Sequence, residues 1–259
     1  SPSRGSMHTQ MTTDEPFSSE ILENFLDANE GDPLFQKYNS LEDVVLLEAV
    51  LNEEAFGNTA VVSSFGADSA LLLAMVAEVN ASTSVIFLDT GKHFPETTDY
   101  VQSLSKTLGL ENVHYRRPSL ADVKIEDTIG DLWESSVDSC CDLRKVRPLE
   151  KALAGFDSWI SGRKRFHGAD RSGLKSVELS DGRLKINPLA NWSAERIKIE
   201  FIARDLPQHP LVAKGFLSIG CAPCTRAVLP GEDARAGRWA DNEKTECGIH
   251  STPWMGENI

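Results

Sequence analysis

The sequence predicts an α/β fold, a mostly parallel sheet with helices on both faces, followed by an irregular C-terminal arm. Three observations carry this. Short β-rich runs alternate with helical stretches from Thr59 to about Arg204. The runs TAVVSS and SVIFL are continuously apolar or small, as strands buried on both faces are. Beyond Pro207 the hydrophobic period stops and Pro and Gly accumulate.

The elements follow in order. Ser18 to Asn29 reads as a helix with Ile21, Leu22, Phe25 and Leu26 on one face, and Leu41 to Phe56 as a second. Thr59 to Ser64 is a strand, and Ala70 to Val79 a helix. Ser84 to Leu88 is a strand ending at Asp89-Thr90-Gly91. Pro95 opens a helix that runs to Leu108, where Gly109 ends it. Asn112 to Arg116 is a third strand, Leu143 to Ala154 a basic amphipathic helix, and Asp157 to Ser161 a fourth strand. Ser176 to Ile186 is a hairpin turning at Asp181-Gly182. Ser193 caps a last helix from Ala194 to about Arg204, with Glu195 favouring its first turn.

Composition narrows the function. The formal charge of −13 disfavours nonspecific nucleic-acid binding, which needs a basic face. Arg and Lys nevertheless cluster at 144–147, 163–165 and 226–238, as a local pocket for a phosphate-bearing ligand requires. No apolar run is long enough to span a membrane. Without a secretory pattern, the odd cysteine count fits a reducing cytoplasm. Residues 1–16 are expected to be a tag remnant and disordered N-terminus, 17–230 an α/β domain, and 231–259 a mobile tail.

The five cysteines divide into two pairs and a singleton: Cys140-Cys141, Cys221-Ala-Pro-Cys224, and Cys247 within ECGIH. Two thiol pairs suit zinc or an iron–sulfur cluster. Adjacent cysteines diverge and fit one tetrahedral ion poorly, whereas a [4Fe–4S] cube offers separate corners. A vicinal disulfide is the third option, disfavoured in the cytoplasm. Lys145, four residues after Cys141, could tune such a site or reach a substrate phosphate.

Between the first strand and its helix lies Ser63-Ser64-Phe65-Gly66-Ala67-Asp68-Ser69. A Gly turn there lets backbone N–H groups and the helix N-terminus face an anion, with serine hydroxyls adding donors. It has no Walker lysine. It resembles the S-G-G-x-D-S loop of ATP-pyrophosphatases, with Phe65 in place of the first Gly. Asp89 and Thr90 end the neighbouring strand, where α/β sheets bind ligands. His93, just beyond, reads as an ordinary surface loop residue.

Taken together, SSFGADS, LDTGKHFPET, CCDLRKVRPL, INPLANWS, LPQHPL, GFLSIGCAPCTRAVLPGEDARAGRW and ECGIH resemble the assimilatory sulfonucleotide reductases. The bacterial adenosine 5′-phosphosulfate (APS) reductases are the nearest group, over Thr59 to His250. The resemblance implies a Rossmann-like sheet of the adenine nucleotide alpha hydrolase type. Ser63, Phe65, Gly66, Asp68 and Ser69 would hold the phosphate end, and Asp89 and Thr90 the nucleoside. Lys145, Arg171, Arg235 and Arg238 would lie near the phosphosulfate, and His250 would be a substrate-site residue that, like the cationic clamp, could lower the Cys247 thiol pKa. Cys140, Cys141, Cys221 and Cys224 would ligate a [4Fe–4S] cluster, and Cys247 would be the nucleophile. Thioredoxin or glutaredoxin would act in trans, because no fused thioredoxin-like domain is expected, and relatives suggest a dimer or tetramer. Where relatives read G-x-R-R-D-Q, this chain has Gly162-Arg163-Lys164-Arg165-Phe166-His167, which puts the roles of Lys164 and His167 in question. Other readings are a reductase of the 3′-phosphorylated nucleotide (PAPS), a dual-specificity enzyme, an ATP-dependent adenylating enzyme, and a noncatalytic iron–sulfur sensor.

Overall fold

The computed structural model describes residue 23 and residues 33–53, 56–167, 173–229, 232–233 and 235–239. Its centre is a six-stranded sheet in the order β3-β2-β1-β4-β6-β5, with β1 Thr59–Val62, β2 Ser84–Leu88, β3 Asn112–Arg116, β4 Ser158–Ile160, β5 Val177–Ser180 and β6 Arg183–Ile186. All neighbours pair in parallel except β5 and β6, which form an antiparallel hairpin. Its turn residues Asp181 and Gly182 have φ of 52° and 71°, the left-handed pair that a two-residue hairpin requires.

Alternation along the strands separates two cores. Val61, Val85 and Phe87 face a large cluster with α3 (Ser69–Asn80), while Ala60, Val62, Ile86 and Leu88 face a smaller one with Leu149 and Leu153. In α3, Ala70 to Val76 are all buried, so this helix passes through the core rather than over it. Ahead of β1 lie α1 (Pro33–Asn39) and α2 (Asp43–Asn52). The sequence reading missed α1 and drew α2 too long. The helix expected over 18–29 lies outside the described residues, apart from Glu23.

The helix α4 (Pro95–Leu108) has Pro95 in its first turn, and Gly109 ends it at φ 70°, as the sequence reading expected. In α9 (Ala194–Ala203) the Ser193 hydroxyl accepts the Arg196 N–H at 3.1 Å. Three short helices went unread: α5 (Leu120–Glu126), α6 (Leu132–Ser135) and α7 (Val137–Cys141). Neither α5 nor α6 buries any residue, so neither leaves an apolar period in the sequence.

A correction concerns the cysteine helix. The helical run begins at Val137 rather than Leu143, so Cys140 and Cys141 lie inside it. It continues through one π-helical turn, Asp142–Val146, into α8 (Arg147–Leu153). Pro148 explains the widened turn. It has no N–H for the Arg144 carbonyl and its ring crowds that oxygen, and a π turn relieves both. No described helix is long and apolar enough to cross a membrane.

Candidate active site

Strand order reverses between β1 and β4, and a cleft opens there at the carboxyl ends of the strands. Its volume is about 180 Å³. One wall is the loop from Ser63 to Ser69 leading into α3, and the floor includes Leu72 and Leu88. Gly162, Arg163 and Lys164 after β4 form a second wall, and Ser218, Ile219 and Gly220 a third. Lys145, Arg235 and Arg238 close it with positive charge. The chemistry is that of an anion site: hydroxyls, a helix N-terminus and cations.

Local sequence shapes each wall. Gly66 keeps the loop close to the Ile219 carbonyl oxygen, which a Cβ there would approach to a tight 3.1 Å, and its N–H donates to the Ser69 hydroxyl at 2.9 Å. Phe65 holds φ of 50°, a left-handed conformation unusual for an aromatic residue. Its fully buried ring meets Phe87 edge-on at 5.6 Å, and its N–H donates to the Ser63 hydroxyl. Arg238 lies over the Trp239 ring, 4.4 Å from its centroid, and donates to the Ser218 hydroxyl at 3.2 Å. Gly220 permits this approach, since a Cβ there would come within 2.6 Å of the Arg238 guanidinium.

Beside the cleft is a second, smaller cavity lined by Cys140, Cys141, Cys221 and Cys224, with Trp133, Trp239, Arg144, Lys145 and Arg238. The two sequence-distant cysteine pairs thus share one cavity. Among the described residues no group of three or more His, Cys, Asp or Glu side chains is arranged to hold a single metal ion. Burial, then the neighbouring Cys141, pushes the Cys140 thiol up to about 11, and burial with Cys221 and Cys141 raises Cys224. Binding a metal there must therefore displace protons. Lys145 and Arg238 line both cavities and form the partition between them.

Of the residues expected from the sequence, Ser63, Gly66, Asp68, Ser69, Lys145, Arg235 and Arg238 line the cleft together. Phe65 does not; it is packed in the core as a support for the loop. Nor do the two expected nucleoside residues. Asp89 pairs with Arg117 at 2.9 Å. Thr90 is fully buried, its hydroxyl 3.3 Å from the Cys221 sulfur and accepting the Lys92 N–H. Arg171, Cys247 and His250 lie outside the described residues.

Two further cleft residues were given no firm role by the sequence reading: Lys164, whose role it left in question, and His93. Lys164 is buried, with its ammonium donating to the Gly162 carbonyl at 2.8 Å and 3.9 Å from the Asp68 carboxylate. Its signals in the sequence were the basic run 163–165 and its place in the segment that departs from the relatives' G-x-R-R-D-Q. His93, read as a surface residue, lines the cleft and stacks on Phe87 with ring centroids 4.9 Å apart. Its Nε2 bonds the Leu88 carbonyl at 2.9 Å, and because a carbonyl only accepts, Nε2 carries the proton. Burial, with Lys145 and Arg238 nearby, holds its pKa below the usual histidine range.

Comparison with known proteins agrees with this arrangement. Residues 58–227 match the phosphoadenosine phosphosulfate reductase domain family. The chain is 48% identical over 213 residues to adenosine 5′-phosphosulfate reductase of Mesorhizobium japonicum, covering 82% of this chain and 84% of that protein. With the enzyme of the same name from a Chelativorans species it shares 44% identity over 237 residues, covering 91% and 94%. Among solved structures, phosphoadenylyl-sulfate reductase from Candida auris, in complex with phosphate, superposes with a TM-score of 0.62 at 26% identity, covering 82% of this chain and 98% of that one. Candida glabrata FMN adenylyltransferase, at 15% identity and a TM-score of 0.52, covers 80% of this chain and 71% of its own and shares the fold alone. With matching sequence over most of its length and a sulfonucleotide-reductase fold around a cationic cleft, the chain belongs to the phosphoadenosine phosphosulfate reductase family.

Proposed function

We propose that this chain is an oxidoreductase that reduces adenosine 5′-phosphosulfate to sulfite and AMP in sulfate assimilation, working in the cytoplasm. The observation that carries the reading is the partition of Lys145 and Arg238 between an anion cleft and a four-thiol cavity. The name shared by the bacterial relatives supports APS as the substrate.

The residues divide the work. The Ser63–Ser69 loop and the N-terminus of α3 receive the nucleotide phosphate. Lys145, Arg235 and Arg238 hold the sulfuryl oxygens, where negative charge redistributes as the bond to phosphate breaks. Cys247, as thiolate, attacks sulfur; the sulfur–oxygen bond breaks and AMP leaves with the electron pair. The product is an S-sulfocysteine. A dithiol protein of the thioredoxin or glutaredoxin class then attacks the Cys247 sulfur, and sulfite leaves with the bonding pair. The second thiol resolves the mixed disulfide, supplies the balance of two electrons and restores Cys247. On sequence grounds Arg171 is assigned to the phosphosulfate end, and His250 to the substrate site beside Cys247, where it or the cationic clamp lowers the thiol pKa.

Cys140, Cys141, Cys221 and Cys224 would hold a [4Fe–4S] cluster. An all-sulfur donor set in one cavity, with Arg144, Lys145 and Arg238 at its edge, suits an anionic polynuclear group. Once bound, that group supplies electrostatics and rigidity, because thiols already account for both electrons.

The test is the intact mass of anaerobically purified protein incubated with APS and no reductant. A gain of one SO3 mapped to Cys247 is expected. No adduct on iron-loaded protein overturns the APS reading. An adduct with PAPS alone supports the second reading, favoured by the Candida auris relative, of a 3′-phosphonucleotide reductase.

A further inference from the structure

We infer that Asp127 is a positioning residue for the four-cysteine site, acting through Arg144, and this rests on reading the four thiols as cluster ligands. Asp127 follows α5, ahead of the helix that carries Cys140 and Cys141 and far in sequence from Cys221 and Cys224, and its side chain has no solvent exposure. One carboxylate oxygen accepts from Arg144 Nη2 at 2.7 Å and Nε at 3.3 Å, and the other accepts the Leu132 N–H at 3.0 Å. Burial alone would raise this carboxyl, but the Arg144 guanidinium and the Leu132 N–H outweigh it and keep it below the usual range. Arg144 is itself buried, lines the thiol cavity, and donates its remaining Nη1 to the Thr90 carbonyl at 2.6 Å.

The Thr90–His93 loop is therefore where the two cysteine pairs are joined. Arg144 attaches the helix of Cys140 and Cys141 to it from one side. From the other, the Ala222 N–H donates to the Lys92 carbonyl at 2.7 Å, the Thr90 hydroxyl lies 3.3 Å from the Cys221 sulfur, and the backbones of His93 and Cys221 pair in an isolated antiparallel β-bridge. The fork geometry of a guanidinium explains why arginine stands here: two donors face one carboxylate and a third faces the loop. Without Asp127, Arg144 is a buried cation with one carbonyl partner, and the register between the two pairs loses its fixed link.

The decisive variant is Asp127→Leu with Arg144→Met. It keeps the net charge and fills the space with apolar groups, a replacement that buried ion pairs commonly tolerate. Protein is purified anaerobically, and iron and sulfide per chain, visible circular dichroism, and the rate at which a chelator bleaches the cluster are compared with wild type. Denaturation midpoints are measured on metal-free protein. A metal-free midpoint near wild type, together with at least severalfold faster bleaching and an altered visible dichroism, is the expected result. Unchanged loading, dichroism and bleaching in the folded double variant overturn the inference. Should that variant fail to fold, Asp127→Asn, which retains an acceptor for Leu132 but not the charge, is expected to bleach at an intermediate rate. Bleaching at the wild-type rate overturns the inference there too. Wild-type protein that holds no iron or sulfide would sink the cluster reading itself, a failure distinct from that of the Asp127 assignment.

Discussion

Acid should destabilise this fold through one buried histidine. His209 is 1% exposed. Its Nδ1 accepts the Leu211 N–H at 3.1 Å, so the ring proton is on Nε2, which donates to the Thr97 hydroxyl at 2.8 Å. A second proton can enter only at Nδ1, breaking the Leu211 bond and charging a buried ring beside Tyr100. Burial, against a weaker pull from Glu96, pushes the pKa down to about 4 from 6.5. The folded state thus binds fewer protons than the unfolded chain. The stabilisation is fully present above about pH 6.5 and is lost as pH falls toward about 4. The two-and-a-half-unit difference corresponds to about 3 kcal/mol at most, with a limiting slope of about 1.4 kcal/mol per pH unit. The assay is urea denaturation of wild type and His209→Gln across this range under anaerobic conditions. Other titrating groups cancel in the difference between the two proteins. The advantage of wild type should shrink by roughly 1 kcal/mol between about pH 6.5 and 5.5. A difference independent of pH, or a measured His209 pKa in the ordinary range, would refute the reasoning.

Other outcomes follow from the site. Cys247→Ser should retain iron and lose sulfite production; sulfite formed at the wild-type rate would remove Cys247 from the mechanism. Cys140→Ser should lose iron and its visible absorbance, and full iron retention would strike Cys140 from the ligand set. Gly220→Ala should push Arg238 off Trp239 and weaken substrate binding by about 1–2 kcal/mol, roughly a tenfold rise in Kd by calorimetry, with the fold intact. Arg238→Met should lower kcat/KM by about a hundredfold or more, as loss of a charge-stabilising donor does; an effect below tenfold would place Arg238 outside the reacting centre.

Strands and long helices were legible because each carries its own signal. SVIFL is a continuous apolar run, Pro95 and Gly109 bound α4, and Asp181-Gly182 marks the hairpin turn. Shorter pieces were not. Helices α5 and α6 bury nothing and are held by polar contacts such as the paired Arg147–Glu126 bonds at 2.7 and 2.8 Å, which no periodicity announces. The phosphate loop and cysteine motifs were readable because their chemistry lies in local spacing. The contact of Thr90 with Cys221 was not legible, because the two are 131 residues apart. His93 read as a surface residue because the cleft residues around it, Lys145 and Arg238, are brought to it only by the fold.

The partition formed by Lys145 and Arg238 has a thermodynamic consequence. Two binding events that draw on the same pair of cations are linked, and linkage is reciprocal. An anion in the cleft and thiolates in the adjoining cavity each alter the affinity of the other by the same factor. A sulfonucleotide should therefore change the affinity of the cysteine site for a bound metal group, and loss of such a group should change nucleotide affinity by the same factor.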